Sequence, residues 1–192
     1  MRLVPIFAIV GSLIAGPGLA ATRAYEPAAL LVATQGQWQG ELQYRDYQSN
    51  KWEGLPVKVS IVAQGDGVSL VRTAAFDDGP KTGTVWITTL LQIDPVTRTI
   101  TNATARAGRP MESGSAQLDQ PMPAKDTTHW VLVETGLRRD GNGMAQVRET
   151  TTRDGNSMIT LKEVNPVDDG KDDWLPRNRT VLKLVKRYGV SI

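Results

Sequence analysis

The 192-residue chain has no cysteine and a single histidine. Without cysteine there can be no disulfide framework and no thiolate metal centre, and a lipid anchor attached at a leader cleavage site is excluded. With His129 as the only imidazole, a metal site built from several histidines is impossible, and a Ser-His-Asp arrangement would have to use that one ring. Charge of one sign is scarce as well: 22 basic and 20 acidic residues leave a formal +2, part of it from Arg2. No basic stripe is visible, so nucleic acid is not an expected partner. The chain carries no Gly-x-Ser-x-Gly elbow, no P-loop and no dinucleotide fingerprint, and no cofactor is expected. Beyond residue 20 no segment is apolar and long enough to span a membrane.

What is present begins with a leader. Arg2 supplies a positive start, Leu3 to Leu13 is almost wholly apolar, and Gly16-Pro17-Gly18 breaks the run. Small residues at Gly18 and Ala20 then offer a cleavage site after Ala20, with Ala21 and Ala24 as alternatives. This is the pattern of a secretory signal peptide, and the apolar run is too short and too interrupted for a membrane anchor. The expected location is therefore periplasmic or secreted. The expected organisation is a signal peptide over 1–20, a segment with a short helix over 21–35, and one domain over 36–192, a length at which a single core needs no staples.

Pro27-Ala28-Ala29-Leu30-Leu31-Val32 reads as a helical turn or two, with proline at the first helical position and Gly36 beyond its end. From there the period becomes two. Trp38, Gly40, Leu42 and Tyr44 alternate with Gln37, Gln39, Glu41 and Gln43, which predicts a half-buried strand. Further strands are expected around 57–61, 68–76, 84–93, 97–105, 128–138, 145–153, 158–164 and 180–188. A short strand falls near 115–118, inside a proline-containing loop over 108–125. Gly65-Asp66-Gly67, Asp94-Pro95, Asp140-Gly141-Asn142-Gly143 and Asp154-Gly155-Asn156 supply the turns. Nine or ten strands joined mainly by hairpins predict an all-β fold: an antiparallel up-and-down barrel, with a β-sandwich as the other candidate.

A short helix followed by Gly36-Gln37-Trp38 at the start of the first strand resembles the Gly-x-Trp signature of lipocalin and calycin barrels. The likeness extends in layout from about residue 27 to 188 and is nearest to bacterial exported lipocalin-like proteins of unknown function. It implies that an arginine from the last strand packs across the Trp38 indole and closes one end of the barrel. Arg179 is the first choice and Arg177 the second, through cation–π and hydrogen-bond contact. In haem-binding relatives of this barrel class the ligand histidine lies late in the chain in a motif of its own, which His129 does not match. A rim histidine is the plainer reading.

The candidate binding residues come from the strand pattern. Arg72 shares a parity with Val68, Leu70, Ala74 and Phe76, and Glu134 shares one with Trp130, Leu132 and Gly136. Met144-Gln146-Arg148-Thr150-Thr152 forms a polar parity that would also line an interior. An arginine inside a barrel needs a partner, so Arg72 or Arg148 is expected to meet Glu134 or a bound anion. Tyr44, Trp86 and Trp130 are expected near a cavity mouth, with ordinary core packing as the alternative. The aspartates of the 168–173 run lack the helix–loop–helix calcium spacing and read as a solvated loop. Asn102-Ala103-Thr104 and Asn178-Arg179-Thr180 are glycosylation sequons that matter only in a eukaryotic secretory route.

These features lead to an exported binding protein holding a small apolar or amphipathic molecule inside the barrel. The alternative is an envelope structural or interaction protein whose barrel is filled by its own side chains. An enzyme using Glu134 or an aspartate as base is a third and weaker reading.

Overall fold

The computed structural model describes residues 25–46, 49, 51–140, 143–167 and 170–189. The leader over 1–20, Tyr47 and the Asp168-Asp169 half of the acidic run lie outside the described residues. Helix α1 (Pro27–Val32) precedes ten strands: β1 (Gly36–Asp46), β2 (Lys51–Ala63), β3 (Ser69–Asp77), β4 (Thr84–Asp94), β5 (Thr99–Arg106), β6 (Glu112–Asp119), β7 (His129–Asp140), β8 (Gly143–Asp154), β9 (Ser157–Pro166) and β10 (Leu175–Arg187). A single turn, α2 (Gly79–Thr82), links β3 to β4 and was not apparent in the sequence pattern. Every strand pairs antiparallel with its sequence neighbour, and β1 pairs with β10, so the sheet closes into a ten-stranded up-and-down barrel. The barrel, rather than the sandwich, is the fold.

Closure occurs at a tight seam. A Cβ on Gly40 of β1 would lie 1.9 Å from the Val181 carbonyl oxygen of β10, so only glycine allows this approach. A bulge between Gln37 and Trp38 adds local twist at the same seam.

The register fixes which side chains point inward. Trp38 pairs with Val59 and Leu184, Val59 with Ala74, and Ala74 with Ile87, so these parities face the barrel axis. At one end the interior is solid. Trp38, Leu70, Ile93, Ile100, Leu118, Trp130, Leu132 and Met158 form the core, and Ala28 and Leu30 of α1 lie over it as a plug. Each side chain buried this way contributes about 1.5–3 kcal/mol. Toward the opposite end, where β1 meets β2 and β3 meets β4, no helix covers the interior among the described residues, and a smaller buried cluster is formed by Ala145, Val147 and Val164.

Candidate functional site

The closed end is organised around Trp38. The indole is almost completely buried, and its Nε1 donates to the Thr34 carbonyl at 2.8 Å, just past α1. The arginine over it is Arg153 of β8, its guanidinium carbon 5.2 Å from the ring centroid. Arg153 is 2% exposed and donates to the Ala33 carbonyl at 2.7 Å, tying the plug to the sheet. Burial, with Arg187 nearby, lowers its pKa to about 10, against an opposing pull from Asp126. The expectation for Arg179 is thereby corrected. Arg179 lies on the outer face near the other end of β10, 4.5 Å from the Trp52 ring, and donates to Gln43 at 2.6 Å. Arg177, the second choice, binds Asp140 at 2.8 Å. Trp38 itself lies in the buried core of this end.

His129 stands at the rim of this end. Its Nδ1 lies 2.9 Å from Asp126 and its Nε2 3.3 Å from Asp154, so both ring nitrogens already face carboxylates. Hydrogen bonds from Thr128 and His129 hold the Asp126 carboxyl well below the usual range. Among the described residues no cluster of His, Asp or Glu fits a metal ion.

Above the core the interior changes character. On the β1–β4 side the inward parity carries Leu42, Leu55, Val57, Phe76, Val85 and Ile87, an apolar wall. On the β7–β10 side it carries Glu134, Arg138 and Asp140 of β7, Glu149 of β8, Lys162 of β9 and Asn178 of β10. Glu134 and Glu149 are directly paired across strands. Arg138 lies 3.9 Å from the first and 3.7 Å from the second. Lys162 and Arg177 both meet Asp140, at 3.4 and 2.8 Å. Although ringed by the sheet, the side chains of Glu134, Arg138, Glu149 and Lys162 keep 16, 25, 28 and 27% of their surface accessible. This charged layer is therefore partly accessible to solvent, although Ala145, Val147 and Val164 beside it are buried.

Arg72 also points inward. It pairs with Ile61 and Thr89, and Thr89 bonds Thr104 at 3.0 Å beside it. β3 and β8 lie opposite one another around the ring, so Arg72 approaches Glu149 from across the lumen. Burial lowers the Arg72 pKa and the field of Glu149 partly restores it. Burial, reinforced by Glu149 and opposed by Arg138, pushes the Glu134 carboxyl up to about 7. Tyr44 lies at the open end of the inward parity, half exposed. Its phenol is raised by burial and by Asp78, with Arg106 opposing.

Of the predicted site residues, Arg72, Glu134 and Tyr44 fall on the inward parity, but the expected pairing of Arg72 or Arg148 with Glu134 is not formed among the described residues: Arg138 is the cation nearest Glu134, and Arg148 binds Glu163. Trp130 is inward but belongs to the sealed core, its Nε1 bonded to the Thr127 carbonyl at 3.0 Å. Two expectations are overturned. Trp86 faces outward and is 60% exposed, because Val85 and Ile87 take the inner parity of β4. Arg148 also faces outward, bonded to Glu163 at 2.9 Å and stacked 4.1 Å from Trp174, because Ala145, Val147 and Glu149 take the inner parity of β8. Glu149, Arg138, Asp140 and Lys162 were missed. Asn102 and Asn178 fall on inward parities, which makes both sequons unsuitable for a glycan. Outside the barrel, an open groove of about 980 Å³ crosses β1–β4, with Trp86 among its lining residues and Ser60, Thr73 and Ala75 also present.

No protein-family profile matches the sequence, and no curated protein matches it. Among solved structures, the chain is similar to Rv2717c from M. tuberculosis, with a TM-score of 0.55 and 16% identity, covering 82% of this chain and 97% of that one. At that identity the similarity establishes a shared barrel fold.

Proposed function

We propose that this chain is an exported binding protein whose barrel holds a small, partly apolar molecule. The observation that carries the reading is the two-sided lumen: an apolar wall from β1–β4 faces a charged, solvent-accessible wall from β7–β10. A protein filling its barrel only for stability has little reason to place five ionisable groups there, since burying charge costs several kcal/mol per ion before pairing offsets it. A mostly apolar cavity with a few fixed polar groups is the usual form of a small-molecule site. Export rests on the leader pattern.

Native mass spectrometry of protein purified from its own host, combined with titration of the neutral fluorophore N-phenyl-1-naphthylamine, tests the reading. A co-purifying molecule, or micromolar fluorophore binding lost in Thr89→Trp, which fills the lumen, is the expected result. A clean mass together with fluorophore binding indifferent to Thr89→Trp would overturn it. The second reading, an interaction protein, draws on the exposed Trp86 and its groove. It predicts that Trp86→Ala, and not Thr89→Trp, abolishes the relevant binding.

A further inference from the structure

Four of the five tryptophans have a place in the fold. Arg153 covers Trp38, Arg179 covers Trp52 and Arg148 covers Trp174, while Trp130 is buried and bonds the Thr127 carbonyl. Trp86 is the exception. It is 60% exposed on the outer face of β4, and among the described residues nothing bonds its indole N–H and no cation covers its ring. An indole left this far in water adds little to stability, so the fold does not account for it.

The register shows what surrounds it. Gln39, Lys58, Ala75 and Trp86 form one row across β1 to β4, and Gln37, Ser60, Thr73 and Thr88 form the next. Ser60, Thr73 and Ala75 are short, so they make a floor between the indole on one side and the long side chains of Lys58 and Gln39 on the other. That floor belongs to the 980 Å³ groove, which Glu41, Asp77 and Thr84 also line. Neighbouring strands lie about 4.8 Å apart, so the row spans roughly 14 Å from Gln39 to Trp86, room for a short oligomer and too long for a single sugar.

We propose that this groove binds a neutral oligosaccharide of β-linked pyranose units, with one ring stacked on Trp86. The C–H face of such a ring carries slight positive charge and meets the negative face of an indole. Its equatorial hydroxyls point sideways, where the amides, hydroxyls and carboxylates of the groove can exchange hydrogen bonds with them. Ala75, paired directly with Trp86, leaves the space beside the ring clear. A protein hot spot would surround its tryptophan with apolar contacts that exclude water, and this one is bordered mainly by polar groups. Glu41 and Asp77 against the single Lys58 give no pull toward an anionic polymer. The site lies on the outer wall and is independent of the lumen.

Chitohexaose and cellohexaose are the probes, followed by the indole N–H signals of the 15N-labelled protein. At least one probe is expected to bind with a Kd below about 1 mM. It should move the signal that Trp86→Ala removes and leave those of Trp38 and Trp130 in place. Trp86→Ala should weaken binding at least about tenfold, and Trp86→Tyr, which keeps a stacking face, should stay within about threefold of the unmodified protein. Ala75→Arg, which fills the floor, should weaken binding as Trp86→Ala does. A Trp86 signal unmoved by either probe at about 10 mM, or binding retained in Trp86→Ala, overturns the proposal. So does movement of the Trp38 or Trp130 signals alone, which would put the sugar inside the barrel. A Trp86 signal that shifts with protein concentration and with neither saccharide would make this face a contact between copies of the chain, and overturns the glycan assignment as well.

Discussion

The two ends of this barrel treat a buried arginine in opposite ways. At the closed end Arg153 lies over the Trp38 ring and bonds the Ala33 carbonyl, so its charge is compensated and its stem packs. In the lumen Arg72 is only partly buried, has no hydrogen-bond partner among the described residues, and has only the Glu149 field to offset its desolvation. One arginine fastens the fold, and the other is held by no hydrogen bond among the described residues. The difference teaches that burial of charge is informative only together with its pairing: a satisfied cation reports architecture, an unsatisfied one reports a site.

The comparison breaks most visibly at Trp38. Trp38→Ala empties the centre of the plug and is expected to cost about 3–5 kcal/mol, read as a lower urea midpoint. Arg153→Met keeps most of the stem but leaves the Ala33 carbonyl unsatisfied and the indole face uncovered. A loss of about 2–3 kcal/mol is expected from those two terms. A midpoint unchanged in Arg153→Met would mean that the closed end does not depend on its arginine.

Much of this closed end was legible in advance, and less of the lumen was. Period-two alternation through Gln37 to Tyr44 identified the inward Trp38, because one parity is apolar and the other plainly polar. The same contrast fails in β8, where Thr150, Thr151 and Thr152 put similar residues on both faces. There the pattern favours the polar parity containing Arg148 as the lining, although Ala145 and Val147 mark the opposite one. In β4 both parities carry large apolar groups, and Trp86 outweighed the more consistent run of Val85, Ile87, Leu91 and Ile93. The Arg153–Trp38 contact joins β8 to β1 across 115 positions and leaves no local trace. Analogy with the last strand pointed to Arg179 instead.

The charged wall adds a pH dependence that the closed end should lack. Glu134 has its carboxyl raised from 4.5 to about 7, with Arg72, Arg138, Glu149 and Lys162 facing the same space from β3, β7, β8 and β9. A raised carboxyl means that the folded state holds a proton that the unfolded state has already released. Stability from this group is therefore complete below the unfolded value and declines as pH rises through 7. Between pH 5 and 8 the protein is expected to lose up to about 2 kcal/mol, allowing for the coupling between the two carboxylates. Glu134→Gln should flatten the urea midpoint over that range. A wild-type profile already flat would remove Glu134 from the set of strongly perturbed groups.

The smallest effect is the most diagnostic, because its sign differs from that at the closed end. Arg72→Met exchanges a partly buried cation, with no hydrogen bond among the described residues, for an apolar chain of similar length. Such exchanges are neutral or favourable in cores, so a change between zero and about 1 kcal/mol of added stability is expected. Arg153→Met, the identical exchange on the opposite strand, should destabilise. Measured side by side in urea, opposite signs would mean that Arg72 is kept at the expense of stability, as groups retained for binding often are. A loss at Arg72 equal to that at Arg153 would instead make it a structural arginine.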